Sequence, residues 1–391
     1  MNTSSAAPNA ADGPEPAPGG GQAAADVGVS SAAGGASGGP PAKERASFAP
    51  DELAIVLSHY DLGVIDTIKD FPRGSRKAPK LLLRSEKGLY LLKRRARGKD
   101  DAYKVAFCHG LQLSLADRQF PLPHLIGTRR QNNSMLKWGG TIYELFEYIK
   151  GNPYDQSLEA TADSGKVLSL FHKLLQDYKP NYEPPRGSYH DARSVHSSFT
   201  AMPATLAKLP SNHPAASAEA VAKATRFLQA HYLAAAGRVN DAGLHDWPTT
   251  VVHSDWHPGN MLFRGSRVVA VIDYDAARLQ QRVLDAANGA LQFSILGGGD
   301  DPATWPEYLD ESRFKRFLRG YDSVPDNMLS RAELDIVPDL MTEALIAEAV
   351  IPIAATGRFS RMHGAPFLQM VCRKVTWLKN NAGKLIESVA E

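Results

Sequence analysis

The sequence predicts an α+β chain of two lobes: a small antiparallel β block carrying one helix, then a larger and mainly helical part. Three observations predict it. Short apolar runs separated by turn residues crowd residues 64–149, with a single amphipathic stretch among them. Beyond Gly151-Asn152-Pro153 the apolar spacing becomes helical and stays so to the end, interrupted once at 251–278. The first 49 residues include 35 Ala, Gly, Pro or Ser and no aromatic before Phe48, too little apolar surface to offset chain entropy. They read as a disordered low-complexity tail, which leaves lobes at 50–151 and 152–391. A cleft between two such lobes is a common place for a ligand.

Element by element, Asp51–His59 reads as a short helix with Leu53, Val56 and Leu57 on one face. Val64–Phe71 is a strand ending at the turn-former Pro72-Arg73-Gly74-Ser75. Lys80–Arg84 and Leu89–Arg94 form a hairpin across the short loop between them. Tyr103–Ala116 is the one helix of this block, with Val105, Cys108, Leu111, Leu115 and Ala116 near one stripe. Leu125–Thr128 is expected as a fourth strand and Thr141–Ile149 as a fifth. In the second part, Thr161–Leu175 and Ala218–Ala235 are helices, the latter after a loop rich in Pro, Ser and His. From Leu284 onward helices are expected with breaks at Gly297-Gly298-Gly299 and at Pro352.

Composition narrows the function. With 44 basic and 42 acidic residues the net charge is +2, which argues against a dedicated nucleic-acid binder. Two cysteines, Cys108 and Cys372, are too few for a disulfide framework and favour a reducing compartment. No apolar run approaches the ~18 residues of a membrane span, and the N-terminus lacks the pattern of a secretory signal. A soluble, cytoplasmic protein is expected.

The chemistry concentrates in Val251-Val252-His253-Ser254-Asp255-Trp256-His257-Pro258-Gly259-Asn260, followed by Asp273 within Val271-Ile272-Asp273-Tyr274-Asp275. In both parts an apolar strand delivers polar groups to a loop. Phosphoryl transfer from ATP needs such parts: a carboxylate to orient the attacking hydroxyl, and oxygen ligands for Mg²⁺, a hard ion that also keeps water and phosphate oxygens in its shell. Asp255 suits the first task; Asn260 and Asp273 suit the second.

His-x-Asp-x-x-x-x-Asn followed by a hydrophobic strand ending in Asp resembles the aminoglycoside phosphotransferase and choline kinase-like superfamily. The form of the motif is most similar to its small-molecule branch, which includes type II homoserine kinases and CotS-like proteins. The resemblance implies a protein-kinase-like bilobal fold and an ATP-dependent kinase for a small-molecule hydroxyl acceptor; from charge and hydropathy no nucleic-acid or membrane partner is expected. By the same resemblance Asp255 takes the place of the catalytic aspartate, and Asn260 and Asp273 those of the metal ligands. Lys93 matches the third-strand lysine that neutralises the ATP phosphates. Backbone groups near Phe146 and Tyr148 match the hinge that holds the adenine, which makes 50–151 the nucleotide-binding lobe. His253 resembles a scaffold residue of the catalytic loop, and Asp285 an aspartate that opens the next helix. Two departures stand out. The Gly-x-Gly-x-x-Gly loop is replaced by Phe71-Pro72-Arg73-Gly74-Ser75, and the helix 103–116 has no glutamate to pair with Lys93, only His109 and Gln112.

Other readings stand beside this one. A nucleotide-binding pseudokinase or scaffold would explain the missing helix glutamate. A metal-dependent hydrolase would use His253, Asp255 and His257 as ligands, although Pro258-Gly259 spoils a helical His-x-x-x-His. Between Arg73 and Lys104 there are twelve basic and three acidic residues, read as a protected strand edge except at Lys93. Asp275, Trp256 and Trp377 are available to a cationic acceptor.

Overall fold

The computed structural model describes residues 45–298 and 301–390. The first lobe is a five-stranded sheet in the order β1-β2-β3-β5-β4. Its strands are β1 (Ile65–Asp70), β2 (Lys80–Ser85), β3 (Gly88–Arg94), β4 (Leu136–Trp138) and β5 (Thr141–Glu147). Every pairing is antiparallel. Helix α1 (Pro50–Ser58) lies on the sheet, its Val56 buried with Leu83, Leu92 and Leu145. Glu52 of α1 fixes it there by accepting two 2.8 Å bonds from Arg94 and one of 2.7 Å from the Tyr143 hydroxyl.

Two expectations for this lobe need correction. Leu125–Thr128 is not a strand. Glu147 donates to the His124 carbonyl and Ile126 to that of Leu145, both at 2.8 Å, and then the chain turns away as the Thr128 N–H bonds Asn133. The same edge of β5 is taken further along by β4, joined to it through Gly139-Gly140, both at left-handed φ as a tight hairpin turn requires. The expected tail, 1–49, lies outside the described residues up to 44, but its last residues are packed. The Ala46 N–H donates to the Arg76 carbonyl at 3.0 Å, and the Phe48 ring packs on Tyr143, because Phe48 is the first side chain able to bury appreciable area.

Helix α2 (Ala102–Asp117) starts where the Asp101 carboxylate accepts the Tyr103 and Lys104 N–H groups. Its Phe107, Cys108, Leu111 and Leu115 join the core of the helical lobe. That core is built from α3 (Leu158–Leu175), α4 (Arg193–Leu206), α5 (Ala218–Asp241), α6 (Arg282–Ser294), α7 (Glu311–Asp322), α8 (Arg331–Thr356) and α9 (Gly364–Ala390). Between α5 and α6 lie two small ladders. β6 (Thr249–Val252) pairs with β9 (Arg278–Gln281), and β7 (Met261–Arg264) with β8 (Arg267–Val271). Helix α4 occupies what reads in sequence as loop, burying Val195, Phe199, Met202 and Leu206 at helical spacing. Pro352 does not break α8, which runs through it and Pro338. Burial of this helix on almost every side outweighs the ~3 kcal/mol cost of an internal proline. Among the described residues no helix is long and apolar enough to cross a membrane.

Helices α3 and α7 touch backbone to backbone. A Cβ on Gly165 would stand 2.0 Å from the Phe317 carbonyl oxygen, and one on Gly320 2.0 Å from that of Ala162. Gly237 of α5 has open space around it. Opposite signs follow for one substitution. Gly165→Ala should destabilise by about 1–3 kcal/mol through overpacking, whereas Gly237→Ala should stabilise by up to about 1 kcal/mol through helix propensity. Urea unfolding of both variants checks this; equal midpoints would contradict the close crossing.

Candidate active site

The strand register lays out the first half of the site. Lys80 on β2 lies opposite Lys93 on β3, and Lys93 opposite Glu144 on β5, so two lysines and a glutamate form one row on one face. Lys93 Nζ stands 3.5 Å from Glu144 and 3.7 Å from Asp275. Arg95 Nη2 donates to the same two carboxylates, at 2.8 and 2.7 Å. Nε2 of His109, from α2, lies 2.7 Å from Glu144. The partner of Lys93 is therefore a strand glutamate, with α2 contributing an imidazole; Gln112 instead donates to the Cys108 carbonyl of its own helix. Burial disfavours charge on Glu144, yet Lys93, the His109 hydrogen bond and Arg95 outweigh it and push the carboxyl far below its usual range. Burial also works against the Lys93 ammonium, and Glu144 with Asp275 reverses that and raises its pKa. Asp275 is already engaged by Lys93 and Arg95, and Trp256 is fully buried.

Lys80 is the residue the sequence reading passed over within the basic run. It forms no ion pair among the described residues. Burial and neighbouring Lys93 lower its pKa, while Asp273 and Asp275 oppose the drop. Its Nζ lies beneath the Gly74 turn, 3.0 Å from where a Cβ on that glycine would be. The two-residue turn after Ser85 fixes the hairpin register, so counting back from it along both strands places Lys80 beside Lys93.

The second half is the catalytic-type segment, and it is clamped from behind. Asp285, buried on α6, accepts the backbone N–H groups of His253 at 2.9 Å and Ser254 at 3.0 Å, and His172 of α3 lies 3.2 Å from it. His253 is buried, with Nε2 3.3 Å from the Ile272 carbonyl; burial lowers its pKa and keeps it neutral. Ser254 and Asp273 are both held at left-handed φ, +61° and +64°, a strain that non-glycine residues keep only where surrounding contacts impose it.

In front of this clamp, the Asn260 amide donates to the Asp255 carboxylate at 2.8 Å and to its carbonyl at 3.0 Å. His257 Nδ1 accepts the Gly259 N–H, which leaves Nε2 as the donor that faces Asp255 at 3.7 Å. Burial works against charge on Asp255, but His257 and Asn260 more than offset it and hold its carboxyl below the usual value. The Ile272 N–H donates to the Asn260 carbonyl at 2.9 Å, which sets Asp273 next to Asn260. With both protons of its amide turned to Asp255, Asn260 leaves Oδ1 as an acceptor, and the Asp273 carboxylate is exposed. Two oxygen donors of this kind suit a hard divalent ion whose shell is completed by water and phosphate. Among the described residues no group of three or more His, Cys, Asp and Glu is arranged to hold a metal.

At the far end of the sheet, Phe146 lies in the ladder opposite Leu91, and the Tyr148 N–H donates to the Leu89 carbonyl at 2.9 Å. That amide is spent within the sheet. The Tyr148 ring meets Phe71, at the end of β1, edge to face at 6.1 Å.

A profile of the phosphotransferase enzyme family matches residues 67–334. A homoserine kinase from Methylocella silvestris is 24% identical over 237 residues, 60% of this chain and 67% of that protein. Among solved structures, an aminoglycoside phosphotransferase from Alicyclobacillus acidocaldarius superposes with a TM-score of 0.62 at 16% identity, covering 89% of this chain and 98% of the other. An amicoumacin kinase in complex with AMP-PNP and Ca²⁺ superposes with a TM-score of 0.60 at 12% identity, over 85% and 94%. The fold of these structures and the arrangement around Asp255 agree with the sequence match, and the chain belongs to the phosphotransferase enzyme family.

Proposed function

We propose that the protein transfers the γ-phosphate of ATP to a hydroxyl of a small-molecule acceptor, with Asp255 as catalytic base. The observation that carries this reading is the ionised Asp255, held by His257 and Asn260 beside the Asn260–Asp273 pair. Lobes 50–151 and 152–391 would then divide the work between nucleotide and acceptor. Lys93 and Lys80 meet the phosphates, and backbone groups of the Phe146–Tyr148 stretch other than the Tyr148 N–H meet the adenine. Asp255 accepts the hydrogen bond of the acceptor hydroxyl and takes its proton. The hydroxyl oxygen bonds to the γ-phosphorus while the bond to the β–γ bridging oxygen breaks, and ADP leaves. Asn260 and Asp273 would hold Mg²⁺, which when bound offsets negative charge on the phosphates. The solved amicoumacin kinase, with its ATP analogue and divalent ion, supports nucleotide and metal use. The motive for a scaffold without turnover was an unpaired Lys93, and Glu144 supplies that charge.

Replacing Asp255 by Asn should lower turnover about 10²–10⁴-fold while leaving MgATP affinity nearly unchanged, because the lost contact is with the acceptor. Replacing Asp273 by Asn should weaken magnesium-dependent nucleotide binding and turnover together. Isothermal titration with MgATP, paired with ADP release, separates the two; loss of MgATP binding in Asp255→Asn would refute the assigned roles.

Lys80→Met tests the second lysine. MgATP affinity should fall about 10–100-fold, and the empty protein should be as stable as wild type or more so, since a like-charge neighbour of Lys93 is gone. Unchanged affinity would make Lys80 a strand-edge charge and no more.

A further inference from the structure

The turn between β1 and β2 replaces a glycine-rich loop, and Gly74 is its one glycine. What holds it comes from ahead of α1. Nη1 of Arg45 donates to the Gly74 carbonyl at 3.5 Å and to the Ser75 carbonyl at 3.4 Å. The Ala46 N–H donates to the Arg76 carbonyl at 3.0 Å. Three successive carbonyls of the turn thus accept from two successive residues of the segment before α1. The N–H groups of Arg73, Gly74, Ser75 and Arg76, by contrast, donate to no group among the described residues. The next amide, that of Lys77, donates to Ser75 Oγ at 3.3 Å.

A trans peptide points its carbonyl and its N–H in opposite directions. With the Gly74 and Ser75 carbonyls turned to Arg45, the N–H groups of Ser75 and Arg76 point away from it, adjacent and unpartnered. Successive free amides beside a left-handed residue make a concavity for anions. Gly74 has φ +79°, and Lys80 Nζ lies 3.0 Å from where its Cβ would be. Backbone donors and a lysine therefore meet at one turn.

The segment is anchored at its other end. Phe48 packs on Tyr143 of β5 with ring centroids 6.3 Å apart, and the Arg94 guanidinium lies 5.3 Å from the Phe48 ring centre. The Ala49 N–H donates to Glu52 at 3.1 Å. Arg94 follows Lys93 on β3, so the segment links the neighbour of one lysine to the turn above the other. We infer that residues 45–48 are a strap that positions this turn for the phosphates of the nucleotide. Arg45 and the Ala46 N–H hold its carbonyls back, which leaves its amides, with Lys80, to meet the anion. Arg45 is a positioning residue and acts through the turn. The inference rests on the kinase reading above and adds residues from ahead of the first helix to the nucleotide site. Hydrogen bonds this exposed add little to folding, so their loss should be felt by the nucleotide and not by the unfolding midpoint.

The test compares affinities for MgATP, MgADP and adenosine, the last by displacement of MgATP, in the full-length protein. Arg45→Met removes the side-chain donor, and Ala46→Pro removes the N–H. Each should weaken MgATP and MgADP about 3–10-fold and leave adenosine within about twofold, because only the phosphates meet the turn. Arg45→Lys, which keeps a donor, should recover part of the loss. Urea midpoints of all variants should match wild type; if Ala46→Pro fails to fold, Arg45→Met decides alone. Unchanged MgATP affinity, or losses as large for adenosine as for ATP, would overturn the strap and make 45–48 a packing segment, while wild-type binding of MgATP would keep the kinase reading. If wild type fails to bind MgATP, both fall.

Discussion

Inside the small sheet a single buried carboxylate, Glu144, faces Lys93 at 3.5 Å, Arg95 at 2.8 Å and the His109 ring at 2.7 Å. The sheet register makes such an anion necessary, because Lys80 and Lys93 lie directly opposite each other and would repel. Arg95 and Lys93 reach on to Asp275, two residues beyond Asp273. One charge cluster thus ties β3, β5, α2 and the turn between β8 and β9 together. Removing one member of a buried network of this kind costs about 3–5 kcal/mol, so the position of Lys93 and fold stability are coupled through the same atoms. Kinase-like sites place a glutamate on the helix for this purpose. Here the strand supplies it and the helix supplies His109.

The helical lobe solves a different problem, that of holding a loop in strained backbone geometry. Asp285 does so by accepting two consecutive N–H groups from behind the loop, and buried His172 braces it in turn. The close crossing of α3 and α7 at Gly165 and Gly320 keeps His172 and Tyr321 in register, their side chains bonded at 2.8 Å. Packing, clamp and loop form one chain of cause from two glycines to the position of Asp255.

Much of this was legible in the sequence. The hairpin between Lys80 and Arg94, the helix after it and the 251–275 segment all follow from local patterns of turn residues and apolar spacing, and Asp255, Asn260 and Asp273 come together as that spacing implies. Strand β4 escaped because three residues are too few for periodicity to register, although the Gly139-Gly140 pair signals its turn. Helix α4 escaped because Pro, Ser and His around it mask the spacing of Val195, Phe199, Met202 and Leu206. Pro352 misled because propensity is local while α8 is stabilised by burial. Glu144 and Lys80 needed the strand register, which the hairpin turn gives for one and only the assembled sheet gives for the other.

The most direct test of the dependence on Glu144 is a double-mutant cycle. MgATP affinity would be measured for wild type, Lys93→Met, Glu144→Gln and the double variant, each confirmed as folded. If Glu144 acts on the nucleotide by positioning Lys93, both single changes weaken binding and the double variant is no worse than the weaker single, a coupling of about 1 kcal/mol or more. Losses that simply multiply would show that the two residues act independently and would contradict the account.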